Sequence, residues 1–207
     1  MASARRTGTN ESISTYGAGQ DYTALGTWET ATDNDNVTAA VSPVLACLAA
    51  EYDDNVNLSG ATNNGTYFRI IRPQAGNFHS GKRDTGVRFY TTADITAILL
   101  SDANDQVQDL VARSTQNSTT SRFAFSPSTA STGCGVIGCI ATACLNNGAG
   151  TNSGIVGVSA AANRFFFVDC IAENNEGTNI FMTSVVGQEP YVYNCTAIGG
   201  ATGFNCG

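Results

Sequence analysis

Short apolar segments alternate with polar turns along most of this chain, and the spacing is typical of β-strands rather than helices. The intervening turns are rich in Gly, Asn, Ser and Thr, which favour tight reversals of the backbone. A segment at 102–113 fits either one helical turn or a strand. The segments predicted as strands are 41–51, 66–72, 86–91 and 95–100.

One segment near the N-terminus has helical spacing instead. Residues 21–31 predict a short helix with Thr23 as its N-cap. The polar residues 1–16 before it predict an arm or an extended strand. The predicted buried face of the helix consists of Leu25, Trp28 and Ala31.

A cysteine-centred pattern recurs in the C-terminal half. The segments 137–141, 168–172 and 193–197 each place an apolar residue two positions before a cysteine and an alanine two positions after it. A weaker copy lies at 45–49. The intervals of 31 and 25 residues between the three cysteines are typical of stacked supersecondary units. The pattern predicts a β-solenoid, with a β-sandwich as the alternative.

Alternation along a strand predicts which side chains share a face. Within each copy, the first residue, the cysteine at the third position and the alanine at the fifth are expected to face the interior. The expected core residues are Trp28, Cys139, Cys170 and Cys195, and the expected inward rows are Ile137/Cys139/Ala141, Val168/Cys170/Ala172 and Tyr193/Cys195/Ala197.

The distribution of charge divides the chain into two predicted regions. Residues 1–113 hold 13 of the 17 acidic and 8 of the 10 basic residues, so 114–207 carry only six charged side chains. We predict an N-terminal arm, a capping helix and the first β-coils in 1–113, followed by the cysteine-marked coils in 114–207. A surface buried against copies of the chain is one explanation for the low charge of the second region.

Composition excludes several classes of protein. The net charge is -7 and only 13% of residues are charged, so the chain lacks the basic surface that nucleic-acid binding requires. No apolar run reaches the roughly 18 residues of a membrane span. No secretory signal precedes the first segments, so we expect the chain to stay in the compartment that makes it.

The seven cysteines do not predict a disulfide framework or a metal site. Their number is odd, no CxxC pair is present, and the single histidine lies far from them in sequence. Cys134, Cys139 and Cys144 are spaced by five, which is not the spacing of a zinc site. We therefore expect buried thiols and no metal or other cofactor.

A basic cluster is the first candidate binding site. It would suit an acidic partner, a sulfated or carboxylated glycan, or a neighbouring copy of this acidic chain. The alternative is a solvated rim paired with nearby acids. The cluster consists of Arg69, Arg72, Lys82, Arg83 and Arg88, with His79 among them.

Asp169 and Glu173 are the only candidate catalytic residues. They are expected on one face of a strand with Glu176 close by, and paired carboxylates are the groups that a glycoside hydrolase uses. Exposed acids on a strand more often serve solvation. No nucleophile motif or P-loop is present, so the chain is not expected to be an enzyme.

Several motifs resemble those of uncharacterised phage and prophage virion proteins. Residues 21–31 are similar to their D-Y-T-x-L-x-x-W-E-x-A opening, and Cys47, Glu51 and Asp53 lie in a segment that resembles the strand after it. Residues 59–70 are similar to S-G-A-T-x-x-x-x-Y-x-R-I. The segment from Tyr193 to Phe204 is similar to their later coils.

This resemblance implies a right-handed parallel β-helix of the pectin-lyase-like type, exposed on a virion. The leading hypothesis is a structural phage protein, a head decoration or fibre-type subunit, made in the bacterial cytoplasm and assembled as a homotrimer. Its expected partners are copies of itself and major capsid or tail proteins, with a host surface glycan as a further candidate. An open last coil would need covering by such a partner. The alternatives are a tailspike-like polysaccharide depolymerase and a glycan-binding adhesin without turnover.

Overall fold

The chain folds into a β-solenoid in which all strand pairs among the described residues are parallel. The strands stack in about five turns and form a right-handed parallel β-helix, so the fold prediction is confirmed. The β-sandwich alternative is wrong, because sandwich sheets are antiparallel. The computed structural model describes residues 7–93, 95–116, 123–128, 132–142, 145–146, 153–158, 165–173, 175, 178–183, 191–200 and 202–206.

Each coil contributes one strand to each of three sheets. The first sheet has seven strands, and every strand lies beside the equivalent strand of the next coil. In spatial order these strands are β1 (Glu11–Tyr16), β2 (Ser42–Cys47), β5 (Ile70–Pro73), β8 (Gln106–Gln108), β11 (Cys134–Ile137), β15 (Phe165–Val168) and β18 (Tyr191–Tyr193).

The second sheet follows the first after a bend in each coil. Its strands are β3 (Glu51–Tyr52), β6 (Arg88–Thr91), β9 (Val111–Gln116), β12 (Ile140–Thr142), β16 (Ile171–Glu173) and β19 (Thr196–Ile198), with β13 (Leu145–Asn146) paired to β9. The boundary predicted between residues 113 and 114 falls inside β9. The segment 102–113, left open between helix and strand, contains β8 and the start of β9.

The third sheet closes the coil and has six strands. Its strands are β4 (Val56–Leu58), β7 (Ile98–Leu100), β10 (Phe123–Pro127), β14 (Ser153–Val158), β17 (Thr178–Thr183) and β20 (Thr202–Cys206).

The core consists of apolar side chains stacked in register along the axis of the β-helix. One such row runs through each sheet, because parallel strands in register place equivalent side chains above one another. Buried Trp28, Cys139 and Cys170 belong to the same core. The rows are Leu45–Ile71–Val107–Val136–Phe167–Val192, Tyr52–Phe89–Ala112–Ala141–Ala172–Ala197 and Val56–Ile98–Phe125–Ile155–Ile180–Phe204.

A left-handed residue bends four successive coils between the first and second sheets. The φ angles are 55° at Asp109, 63° at Gly138, 54° at Asp169 and 50° at Asn194. The backbone N–H of Gly138 donates to the carbonyl of the next coil, at Val168, over 2.8 Å. Gly, Asn and Asp are the residue types that adopt this conformation at the lowest cost.

The bend corrects the predicted inward rows. Cys139 and Ala141 face the core, but Ile137 lies on the other face of the first sheet, because its neighbour Val136 is the core residue. The prediction from strict alternation was wrong here. The left-handed residue between the strand and the cysteine turns the chain, so that Val136 and Cys139, which are three positions apart, both face the core. Val168, which is in register with Ile137, also faces away from the core, and Tyr193 is exposed.

The cysteines supply hydrogen bonds where the backbone turns. Cys139 Sγ donates to the carbonyl of Ile137 at 3.4 Å, and Cys170 Sγ donates to Val136 in the preceding coil at 3.2 Å. Cys195 repeats the contact with Phe167 at 3.4 Å. A small side chain with a weak donor therefore suits this corner of the interior.

A helix covers the N-terminal end of the stack. Helix α1 (Leu25–Ala31) buries Leu25 and Trp28 completely and packs on β4. Its N-cap is Ala24 without a side-chain cap, so the prediction of Thr23 was wrong, and Ala31 is exposed. A second helix, α2 (Asn36–Ala39), was not predicted.

Candidate assembly surface at the last coil

Exposed apolar side chains are concentrated at one end of the β-helix. Seven large hydrophobic side chains are exposed among the described residues, and only Ile13 and Phe78 lie elsewhere. A contiguous apolar patch on a protein surface commonly marks an interaction site. The other five form what we call the end surface: Tyr191, Val192, Tyr193, Ile198 and Phe204.

The end surface includes the last members of two interior rows. Phe167 and Ile180 are fully buried, each covered by the next coil. Val192 and Phe204 occupy the same rows one coil later and are 38% and 47% exposed. Their exposure follows from their position, because no described strand lies above them.

The backbone of the last coil has free strand edges. Strands β18, β19 and β20 each pair through one edge with β15, β16 and β17. Within the described ranges no strand pairs with the opposite edges. Such edges present N–H and C=O groups that can pair with a further strand.

Aromatic and polar contacts hold the last coil on the one before it. The rings of Phe166 and Tyr191 stack with centroids 5.4 Å apart and an interplanar angle of 9°. Asn194 Nδ2 donates to Asp169 Oδ1 over 2.6 Å at the bend. These contacts fix the last coil, and with it the end surface, to the coil before it.

Cys195 is half-buried in this coil, one coil after the buried Cys170. A side-chain hydrogen bond with Cys170 lowers the pKa of Cys195 to about 7, whereas burial raises the pKa of Cys170. Cys47, Cys134, Cys139 and Cys170 are buried, whereas Cys195 is only partly buried. A thiol with this pKa reacts readily with alkylating reagents at neutral pH wherever reagent reaches it.

The opposite end of the β-helix differs because α1 and the segment before it cover it. Asp54 Oδ2 accepts hydrogen bonds from the Tyr16 hydroxyl and from the backbone N–H of Leu25, both at 2.7 Å. Tyr16 also packs edge-on against Tyr52, with ring centroids 4.7 Å apart. Among the described residues, Leu45 and Val56 at the start of two interior rows are buried, whereas Val192 and Phe204 at the end of the same rows are exposed.

The five basic residues of the predicted cluster do not lie together. Arg69 is fully buried, and its guanidinium contacts three carboxylates, so it does not contribute to an exposed basic surface. Its Nη2 lies 2.5 Å from Asp102 Oδ2 and 3.0 Å from Asp105 Oδ2, and its Nη1 lies 3.6 Å from Glu29 Oε1.

Arg72 lies on the outer face of the first sheet, apart from the others. Its Nη2 is 2.7 Å from Glu11 Oε2. Arg88 lies on the outer face of the second sheet, with its Nε 3.7 Å from Glu51 Oε2. Both arginines are thus paired with nearby acids.

Lys82 and Arg83 lie on an exposed segment, 74–86, that crosses the outer face of the second sheet. The carbonyl of Arg83 accepts a hydrogen bond from the Tyr90 hydroxyl at 2.8 Å. His79 Nδ1 accepts from the Gly81 N–H, so its Nε2 carries the hydrogen and donates to the carbonyl of Gly138 at 2.6 Å. The histidine therefore fastens the segment to a bend two coils later.

The two candidate carboxylates do not share a strand. Asp169 occupies the left-handed bend before β16, whereas Glu173 is the last residue of β16. Glu173 Oε1 accepts from Thr142 Oγ1 at 3.1 Å and lies 3.9 Å from Arg83 Nε. The expectation of one strand face was therefore wrong, and Glu176 lies outside the described residues.

Metal ligands and membrane-spanning helices remain to be considered for the described part of the chain. No group of three or more His, Cys, Asp or Glu side chains is placed there to hold a metal ion. Neither helix there has the length and apolar character of a membrane span. Cys144 lies outside that part.

Comparisons of this chain with models of protein families, with curated proteins and with solved structures find no match.

Proposed function

We propose that this chain is a structural subunit of a phage virion, a head decoration or fibre-type protein that assembles with copies of itself and with capsid or tail proteins. The observation that carries this proposal is the end surface. Among the described residues, five of the seven exposed large hydrophobic side chains lie together on one coil, whose strands pair with described strands along one edge only. A terminal repeat with this character requires a partner or a cap.

The distribution of charge supports assembly over binding to a charged ligand. The sequence from residue 191 to 207 contains no charged side chain, whereas 13 of the 17 acids lie before residue 114. Interfaces are depleted of charge at their centre, where desolvation costs most. The end surface has the composition of such a centre.

The resemblance to phage and prophage proteins supports the virion as the location. A rigid parallel β-helix suits a particle surface because each coil is held by its neighbours through backbone hydrogen bonds. The trimer expected from the sequence stays a prediction, and the mass measured by light scattering distinguishes it from a pair.

Purified particles provide the test. Particles of the phage or prophage that encodes the chain are separated on a density gradient into full capsids, tails and whole virions. Mass spectrometry of each fraction should find the chain at a fixed ratio to the capsid or tail protein. Its absence from all three fractions, while it is present in the lysate, would refute the proposal.

A glycan assay tests the two alternatives. Reducing ends are measured after incubation with host capsule or lipopolysaccharide, for the wild type and for Asp169→Asn and Glu173→Gln. Turnover lost in these variants would establish the depolymerase and refute a purely structural role. Saturable binding without turnover, lost in Arg72→Ala and Arg83→Ala, would establish the adhesin.

A further inference from the structure

We propose that the end surface binds the same surface of a second copy of this chain, across a two-fold axis perpendicular to the axis of the β-helix. This inference rests on the proposed structural function and names the first partner of its assembly surface. Three features of the molecule lead to it.

The first feature is continuity with the contacts between coils. Every described coil before the last is covered by the next coil, which continues its interior rows and pairs with its strand edges. The end surface presents the same elements: Val192, Ala197 and Phe204 in the rows, and the free edges of three strands. The partner that fits it is therefore another β-helical coil.

The second feature is charge, which favours a second copy. Two chains with a net charge of -7 repel each other. Contact through the end surface brings together the uncharged residues 191–207 and leaves residues 1–113, with 13 acids, at the far ends of the pair. No other end-to-end arrangement separates the acidic regions as widely.

The third feature is the cap, which decides the symmetry. Head-to-tail stacking would place the end surface on α1, whose Leu25 and Trp28 already fill the N-terminal end of the core. Leu45 and Val56, the first described members of two interior rows, are buried as well, so these two rows are not open at the N-terminal end. An interface that uses the same surface on both copies closes after two chains, whereas a head-to-tail contact would continue into a filament.

The two-fold axis also suits the backbone. Rotation about an axis perpendicular to the β-helix reverses the direction of the strands, so facing edges are antiparallel. Antiparallel edges exchange N–H···O=C hydrogen bonds as effectively as the parallel edges within the chain. Phe204 and Val192 of each copy then lie in a covered interior.

Light scattering after size-exclusion chromatography tests the contact. The full chain should elute with a mass of twice 21.5 kDa. Phe204→Asp and Val192→Asp should raise the dissociation constant by at least about 30-fold, the change typical of a central interface residue. Phe78→Asp and Ile13→Asp alter comparably exposed apolar residues outside the end surface and should leave the mass unchanged.

A variant at the edge of the surface separates association from folding. The Tyr193 side chain is 56% exposed, so Tyr193→Lys should leave the circular dichroism spectrum and the melting temperature of the diluted chain unchanged. It should nevertheless weaken the pair, because two copies would place like charges opposite each other.

Cys195 provides a second readout. In the wild type at high concentration, iodoacetamide should modify Cys195 slowly, since the partner covers it. Dilution, or Tyr193→Lys, should speed its modification at least about tenfold, as expected when the covered fraction falls from near-complete to a minority. Peptide mapping assigns the modified residue.

Each contrary outcome has a defined meaning. A trimer, a filament or a monomer at 50 μM (about the upper range of cellular protein interactions) would overturn the two-fold pair. A pair that survives Phe204→Asp and Tyr193→Lys would also overturn it. A monomer in which Phe204→Asp only lowers stability would show that further residues of the same polypeptide cover the surface. Presence in purified particles is measured separately, so a failed pair does not refute the structural function.

Discussion

Arg69 Nη2 lies 3.0 Å from Asp105 Oδ2, and neither side chain is exposed to solvent. Asp102 and Glu29 complete a buried group of three carboxylates and one guanidinium. The group links α1, which carries Glu29, to the turn between β7 and β8, which carries both aspartates. It therefore fastens the N-terminal cap to the β-helix.

The stability of the chain should decrease as the pH rises from 5 to 7. Burial raises the pKa of Asp105 from 3.8 to about 7, in spite of Arg69. A carboxyl whose pKa is raised on folding contributes stability that is complete below pH 3.8 and is lost as the pH rises through 7. The slope should not exceed about 1.4 kcal/mol per pH unit for one proton. Urea unfolding at pH 5, 6 and 7 measures it.

Other titrating groups of the chain do not reverse the slope. Burial also raises the pKa of Asp102, although Arg69 opposes the rise, so Asp102 acts in the same direction. The lowered pKa of Cys195 acts in the opposite direction, but mainly above pH 7. Asp105→Asn should flatten the slope, and an unchanged slope in that variant would show that another group titrates.

Arg69→Met should lower the free energy of unfolding by about 3–5 kcal/mol at pH 7, because it leaves buried carboxylates without their cation. The matched control is Arg72→Met, which removes a partly exposed pair with Glu11 and should cost no more than about 1 kcal/mol. Urea denaturation of both variants measures the difference. Equal losses would mean that the buried group does not fasten the cap.

Trp28→Ala should destabilise the chain by about 3–5 kcal/mol, since it removes the largest buried side chain of the cap and leaves a cavity. Thr30→Ala changes an exposed residue of the same helix and should stay within about 0.5 kcal/mol. Thermal unfolding followed by circular dichroism compares the two. A small loss for Trp28→Ala would indicate that α1 is not part of the cooperative core.

Gly138→Val should lower stability by about 1–2 kcal/mol, because a β-branched residue resists the left-handed conformation at the bend. Gly65→Val is the control, since its backbone is not left-handed and nothing lies within 4 Å of an added Cβ. Urea unfolding of the two variants gives the comparison. If both lose the same amount, the bend does not require glycine.

The fold could be predicted from local patterns. A cysteine flanked two residues away by an apolar residue and an alanine recurs from coil to coil, and the cysteine of each copy packs in the interior. Asn, Asp and Gly recur at the bends for an equally local reason, which is the low cost of a left-handed φ. Cys170 and Trp28 could be assigned to the core on this basis.

The candidate site could be predicted only in part. Val192 and Phe204 are apolar like Phe167 and Ile180, the buried members of their rows one coil earlier, so nothing in their own segments marks them as exposed. The basic residues are separated for a similar reason. Arg69 and Arg72 are close in sequence, but one points into a carboxylate cluster and the other lies on the outer face of the first sheet.

The sequence by itself determined the repeat and the stacking of the coils, because these depend on the spacing of side chains within about 30 residues. The tertiary structure alone decided that a left-handed residue at each bend turns Ile137 away from the core, that Arg69 is buried among three carboxylates, and that no described strand covers the last coil. Each of these depends on what the neighbouring coil or helix covers, and coverage is a property of the whole stack rather than of any one segment.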